Sequence, residues 1–158
     1  MVDNKKVDRV YLLCSDEYTE WLDKKIVKID MFNVQPTFND VFNIVNFNTK
    51  NDDLNIILNS DCFIDEDSIQ LILDNIKHRM VYCLSRWNIN SLTPFKSEHY
   101  DLDCSQDAWI FLGEMDNLKA DFKMGMPGCD NAIAYEFENA GFQILNPSKD
   151  VKVYHYHF

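Results

Sequence analysis

Apolar residues fall along this chain in short blocks whose spacing switches between that of strands and that of helices. Val10, Tyr11, Leu12 and Leu13 form a continuous apolar run closed by Ser15-Asp16, the pattern of a strand covered on both faces in a parallel sheet. Ile26, Val27, Ile29 and Met31 predict a second strand. Phe38, Val41, Phe42 and Val45 recur at i, i+3, i+4 and i+7, with Thr37 and Asp40 placed to cap the first turn, so a helix with one apolar face is expected there. Leu54, Ile56, Ile57 and Leu58 make a compact strand that stops at Asn59-Ser60-Asp61. The strongest helical period follows: Ile69, Ile72, Leu73 and Ile76, with Asp65, Glu66 and Asp67 at the start and Lys77, His78 and Arg79 at the end, the charge order a helix dipole favours. Residues 81–84 predict another strand, and strand, helix and strand within about 30 residues fit a right-handed parallel crossover.

The second half is less regular. Residues 91–105 are polar and include Pro94, predicting an irregular surface excursion beside the site. Ala108–Leu112 predicts a strand. Gly125, Pro127 and Gly128 mark a loop that feeds a helix over residues 130–140, which buries Ile133, Phe137 and Ala140 and is capped by Gly141. Residues 142–145 and 151–156 are late strands divided by the Asn146-Pro147 turn, and no internal repeat is present. Alternating strands and helices over 158 residues predict a single α/β domain built on one core.

Composition narrows the partners. Hydrophobic residues at 46% and charged residues at 26%, with four Gly and four Pro, exclude disordered and collagen-like chains. Fifteen Lys and Arg against 26 Asp and Glu leave a net charge of −11, the wrong sign for a surface that neutralises phosphates, so no nucleic acid is expected. An anionic ligand would need a metal ion or a local basic pocket to offset that repulsion. The longest apolar run, residues 108–112, falls far short of the ~20 needed to cross a bilayer. Residues 1–9 carry no signal-peptide core, so a soluble cytoplasmic protein without a membrane span is expected. The five cysteines are scattered, form no C-x-x-C pair and read as buried, reduced thiols rather than a zinc cluster.

Five places could carry chemistry. Asn59-Ser60-Asp61 follows a central strand, where open α/β sheets bind ligands; Asp61 there is either an oxygen ligand for Mn²⁺ or Mg²⁺ or the acceptor of an Asx-turn. His155 and His157, two apart on a strand, project from one face and either approach a metal together or belong to a solvated terminus. Asp130, in Gly128-Cys129-Asp130-Asn131, is a helix cap or a group that deprotonates a hydroxyl. Asp107 is a further acid, and its neighbour Trp109 is either core or a flat platform for a sugar ring. Arg86-Trp87, at a strand end, offers a guanidinium suited to phosphate or a surface salt bridge. P-loop, dinucleotide-binding and hydrolase-elbow glycine motifs are absent.

Taken in order, these segments resemble a family of small glycosyltransferases with the GT-A fold, which includes the domain chloroviruses use to glycosylate capsid protein and similar bacterial and giant-virus proteins. The resemblance covers most of the chain and rests on Gln35-Pro36-Thr37-Phe38-Asn39-Asp40, residues 54–63 (LNIILNSDCF), Leu84-Ser85-Arg86-Trp87, Ser105-Gln106-Asp107-Ala108-Trp109, residues 125–131 (GMPGCDN), Asn146-Pro147-Ser148 and His155-Tyr156-His157. It implies one GT-A-like domain, a mixed central sheet flanked by helices, acting in the cytoplasm (the host's, for a virus). It further implies Mn²⁺- or Mg²⁺-dependent transfer of a sugar from a nucleotide-diphosphate donor to a hydroxyl on a glycan or protein acceptor. Asp61 becomes the acid of a D-x-D-like motif with Asn59 in the other position, and His155 or His157 the carboxyl-terminal metal ligand. Asp130 or Asp107 becomes the acid facing the acceptor, while Asn59, Ser60, Arg86, Trp87, Trp109 and Asn131 line the substrates. Two departures stand out: Asn59 in place of an acid implies looser metal binding, and residues 10–15 look like the family's second strand, which implies an incomplete nucleobase pocket. They favour the alternative of a non-catalytic GT-A-like module that binds a sugar or a protein; metal-dependent phosphoester hydrolysis is a third option.

Overall fold

The computed structural model describes residues 5–14, 23–100 and 105–156. Among them are three helices and sheets of mixed strand direction. Strand β1 (Val10–Cys14) pairs in parallel with β2 (Ile26–Asp30) as a separate two-stranded sheet. Ser15-Asp16, expected to close β1, lies outside the described residues.

Helix α1 (Phe38–Asn48) begins with the expected capping box: the Asp40 N–H donates to the Thr37 hydroxyl at 3.1 Å, and the Thr37 N–H donates to the Asp40 carboxylate at 2.8 Å. The next free amides, those of Phe38 and Asn39, donate to the carbonyls of Phe122 and Ala120, which fastens the helix start to the segment before residue 125. Strand β3 (Leu54–Leu58) leads through a turn into the short β4 (Cys62–Ile64). Helix α2 (Glu66–Asn75) is capped by the Asp65 carboxylate on the Ser68 N–H and hands the chain to β5 (Met80–Leu84).

The central sheet has the order β3-β8-β5-β9, where β8 is Ala108–Leu112 and β9 is Gln143–Leu145. Strand β8 is antiparallel to both neighbours and β9 is parallel to β5, so β3, β5 and β9 end along the edge where β8 begins. Alternation divides its side chains between two cores. Ile57, Val81, Cys83, Trp109 and Phe111 pack with Phe38 and Phe42 of α1 and with Ile133 and Phe137 of α3 (Cys129–Asn139). Tyr82, Leu84, Ala108 and Ile110 pack on the other side with Ile69, Ile72 and Ile76. This double cover is why β5 and β8 read as unbroken apolar runs.

A second sheet, ordered β4-β10-β6-β7, lies beyond the α2 core; β6 is Arg86–Leu92, β7 is Phe95–His99 and β10 is Val153–His155. Ile64 and Val153 point into that core, while Phe63 and Tyr154, on the opposite face, stack with ring centroids 5.2 Å apart.

Several sequence expectations are corrected here. The first half of the segment read as irregular is a hairpin of β6 and β7: its alternation is masked by polar side chains on exposed positions, leaving Ile89 as its one buried apolar residue. The crossover from β3 to β5 does join parallel strands, yet β8 inserts between them. Helix α2 stops at Asn75, before the basic triplet, because Ile76 is extended and Arg79 has φ 66° as the chain turns into β5. Arg79 instead donates to the Ala140 carbonyl and covers the Phe142 ring at the carboxyl end of α3. Leu73 is half exposed at the margin of the apolar stripe. Gly141 does cap α3: its φ of 80° lets its own N–H reach Glu138 and the Phe142 N–H reach Phe137. Of the cysteines, Cys83 and Cys129 are buried, Cys14 and Cys62 are partly exposed, all four are free thiols, and Cys104 lies outside the described residues. No helix among the described residues is long and apolar enough to cross a membrane.

Removing the α1 cap tests this local account. Thr37→Ala should cost about 1 kcal/mol, read as a lower urea midpoint with an unchanged slope, whereas an unaltered midpoint would show that the Phe122 and Ala120 carbonyls alone hold the helix start.

Candidate functional site

Because β3, β5 and β9 end together, their following residues converge on one edge of the central sheet: Asn59 to Asp61 after β3, Ser85 and Arg86 after β5, and Asn146 to Ser148 after β9. Gln106 and Asp107, just ahead of β8, arrive at the same edge from the opposite direction. Strand β10 adds a further group. Its His155 is the register partner of Cys62 on β4, and residues directly opposite on antiparallel strands share a face.

The first cluster is Asp61, Cys62 and His155. His155 Nε2 lies 2.9 Å from an Asp61 carboxylate oxygen, and the Cys62 thiol donates to the other Asp61 oxygen over 3.6 Å. One donor atom from each of the three residues lies within 4.8 Å of the others. The His155 side chain is 5% exposed and that of Asp61 48%, so the pair is anchored on one side and open to solvent on the other. The turn after β3 is closed by backbone, Cys62 N–H to Asn59 carbonyl, which leaves the Asp61 carboxylate to face His155 rather than make an Asx-turn. Burial pushes the Cys62 thiol up, reinforced by the charges of Asp107 and Asp61.

The second cluster centres on Asp107. One oxygen accepts from Asn59 Nδ2 at 2.7 Å and the other from Arg86 Nη1 at 3.1 Å, with side-chain exposures of 5% for Asp107 and 18% for Arg86. Arg86 also donates to Asn88 from Nε, and its guanidinium lies 4.5 Å from the Tyr100 ring centroid. A phosphate approaching Arg86 therefore competes with a carboxylate already seated on it.

Asp130 joins this edge from α3. The α3 cap is Gly128, in the left-handed region at φ 86°, so Asp130 is not the cap. Its carboxylate instead accepts from the Gln106 N–H at 3.3 Å and from the Cys129 thiol at 3.2 Å. Burial raises its carboxyl above the ordinary aspartate value, helped by Asp107 and opposed by the Cys129 and Gln106 hydrogen bonds and by Arg86.

The remaining expected site residues differ in their placement. Trp109 is 1% exposed and meets Phe38 edge-on at 4.9 Å, so it is core and offers no face to a ligand. Trp87 points to the opposite face of β6 from Arg86, as strand alternation requires, and donates to the Ser148 carbonyl at 2.7 Å. Ser60 and Asn131 are exposed, the first in the turn before Asp61 and the second next to Asp130. His157 lies outside the described residues. Sequence reasoning missed Cys62, Gln106, Asn88 and Tyr100; Cys62 and Gln106 carried a signal in their adjacency to Asp61 and Asp107, but the strand register that makes Cys62 matter is not local information. A groove of about 360 Å³ adjoins the edge, lined by Ser85, His99, Asn146, Ser148 and Lys149 among others.

The chain matches no protein-family model, no curated protein and no solved structure.

The raised Asp130 carboxyl has a consequence for stability. A carboxyl lifted by folding contributes stability below its unfolded value, near ~3.9, and that contribution is lost as pH rises through the folded value. Asp130→Asn keeps an acceptor for the Gln106 N–H and has no charge to desolvate, so the variant should gain stability relative to the parent as pH rises from about 4 through the raised folded value. Urea unfolding across that range checks it; parallel profiles for the two proteins would contradict the burial assigned to this carboxylate.

Proposed function

We propose that this chain is a metal-dependent glycosyltransferase of GT-A-like architecture, moving a sugar from a nucleotide-diphosphate donor to a hydroxyl on a glycan or protein acceptor. The observation that carries the reading is the meeting of Asp61 and His155, 94 residues apart in sequence, at the carboxyl edge of a mixed sheet to which the Gln106 N–H also fastens the partly buried acid Asp130. One carboxylate oxygen and one imidazole nitrogen suit Mn²⁺ better than Mg²⁺, which favours oxygen donors throughout. Asp61 and His155 are the residues to hold the ion, which when bound supplies positive charge against the departing diphosphate. Such an ion also reconciles an anionic donor with a chain of net charge −11.

The protein's own groups divide the remaining work. Asp130 takes the proton of the acceptor hydroxyl, since its raised carboxyl sits closer to a neutral working range than an ordinary aspartate. Asp107 has both oxygens engaged and orients Arg86 and Asn59 instead of moving a proton. The polar groove around Asn146 and Ser148 suits a hydroxyl-rich acceptor. The seated Arg86–Asp107 pair favours a second reading, a non-catalytic GT-A-like module, because a guanidinium already neutralised is poorly placed to grip phosphate.

Thermal unfolding with Mn²⁺ and a panel of nucleotide sugars tests both. A donor at about 100 times its Kd adds ~2.7 kcal/mol, a rise in Tm that EDTA abolishes. Asp130→Asn should keep that rise and lower transfer from the responsive donor roughly 10²- to 10⁴-fold. Stabilisation without transfer to any acceptor selects the binding module; no stabilisation by any donor sinks the transferase.

A further inference from the structure

We infer that Cys62 completes a three-donor metal site with Asp61 and His155, and that this site takes a thiophilic dication of the Zn²⁺ and Co²⁺ class in preference to Mg²⁺. The inference rests on reading Asp61 and His155 as metal ligands and is independent of sugar transfer. Three observations carry it. First, Cys62 and His155 are direct register partners on β4 and β10, so the sheet itself sets thiol and imidazole on one face. Second, Asp61 stands at the end of that pair with one carboxylate oxygen toward each partner, 2.9 Å from His155 Nε2 and 3.6 Å from Cys62 Sγ. Third, all three donor atoms lie within 4.8 Å of one another, close enough for one ion to be reached with small side-chain rotations. The backbone bond from Tyr156 N–H to the Asp61 carbonyl ties the turn to β10 and fixes the spacing.

The donor types decide the ion. Sulfur, nitrogen and oxygen from Cys, His and Asp match the ligand set of zinc, whereas Mg²⁺ seeks oxygen alone. On binding, the Cys62 thiol releases its proton to solvent and His155, whose Nε2–H faces Asp61 without the ion, changes tautomer so that Nδ1 carries the proton and Nε2 presents its lone pair; a dication is then met by one thiolate and one carboxylate, with net charge zero. Three protein donors leave a fourth tetrahedral position for a ligand oxygen.

Co²⁺ titrated into the full chain and followed by absorption gives the test. The wild-type protein should develop a sulfur-to-cobalt charge-transfer band in the near ultraviolet. Zn²⁺ should bleach it and a large excess of Mg²⁺ should not. Cys62→Ser, a one-atom change at a partly exposed position, should lose the band, and Asp61→Asn, exposed enough to spare the fold, should weaken the binding that produces it. Absence of the band in wild type, or its survival in Cys62→Ser, overturns the inference, as does displacement by Mg²⁺ as readily as by Zn²⁺. The two proposals fail separately: a Cys62-dependent band with no stabilisation by any nucleotide sugar leaves the metal site and removes the transferase. Donor stabilisation by Mn²⁺ with no band does the reverse.

Discussion

The carboxylate of Asp61 and the imidazole of His155 meet because β10 threads between β4 and β6, antiparallel to one and parallel to the other. That placement makes the second sheet, carries Val153 into the α2 core, and returns the end of the chain to the turn that follows β3. Were β10 shifted by one residue, His155 would face the Phe63 and Tyr154 side and Val153 would leave the core. Register here is therefore fixed by burial of Val153, and the site inherits its geometry from that burial.

Around this joint the protein gathers charge that its composition makes costly. Asp61, Asp107 and Asp130 come to one edge with Arg86 as the compensating guanidinium, and burial, ahead of the charge of Asp107, is what raises the Asp130 carboxyl. Asp107 is the member whose charge is most fully answered, by Arg86 and Asn59, and it works as the hub that orients both. Asn59 stands where the resemblance leads one to expect an acid, and it has a structural role there, because an amide can donate to Asp107 whereas a carboxylate would repel it. A site built this way favours a cation over an unaccompanied anion.

Much of this was legible along the chain, for identifiable reasons. The starts of α1 and α2 could be read because Thr37, Asp40 and Asp65 cap through contacts only three residues long. Strands β3, β5 and β8 could be read because sheets covered on both faces demand apolar runs. The ends of those strands, and so Asp61, Arg86 and Asp107, followed from the same runs. The position of β8 between β3 and β5 was not legible, since no local pattern names a strand's neighbour. Nor was the β6–β7 hairpin, where exposed faces carry polar residues that resemble a loop, and with it went Asn88 and Tyr100. Cys62 was hidden for a third reason: its partner in the site is set by cross-strand register with a residue near the other end of the sequence.

The central claim is that a dication binds where Asp61 meets His155, and paramagnetic broadening by substoichiometric Mn²⁺ in an amide proton–nitrogen NMR spectrum addresses it most directly. The account predicts that the signals of Asp61, Cys62, His155 and Tyr156 broaden first, with those of Asn59 and Asn88 close behind. Broadening that begins instead at the exposed acids Asp52 and Asp53, or at Glu66 and Asp67 of the first turn of α2, would contradict it, placing the ion on generic surface charge and leaving the edge of the sheet without a metal.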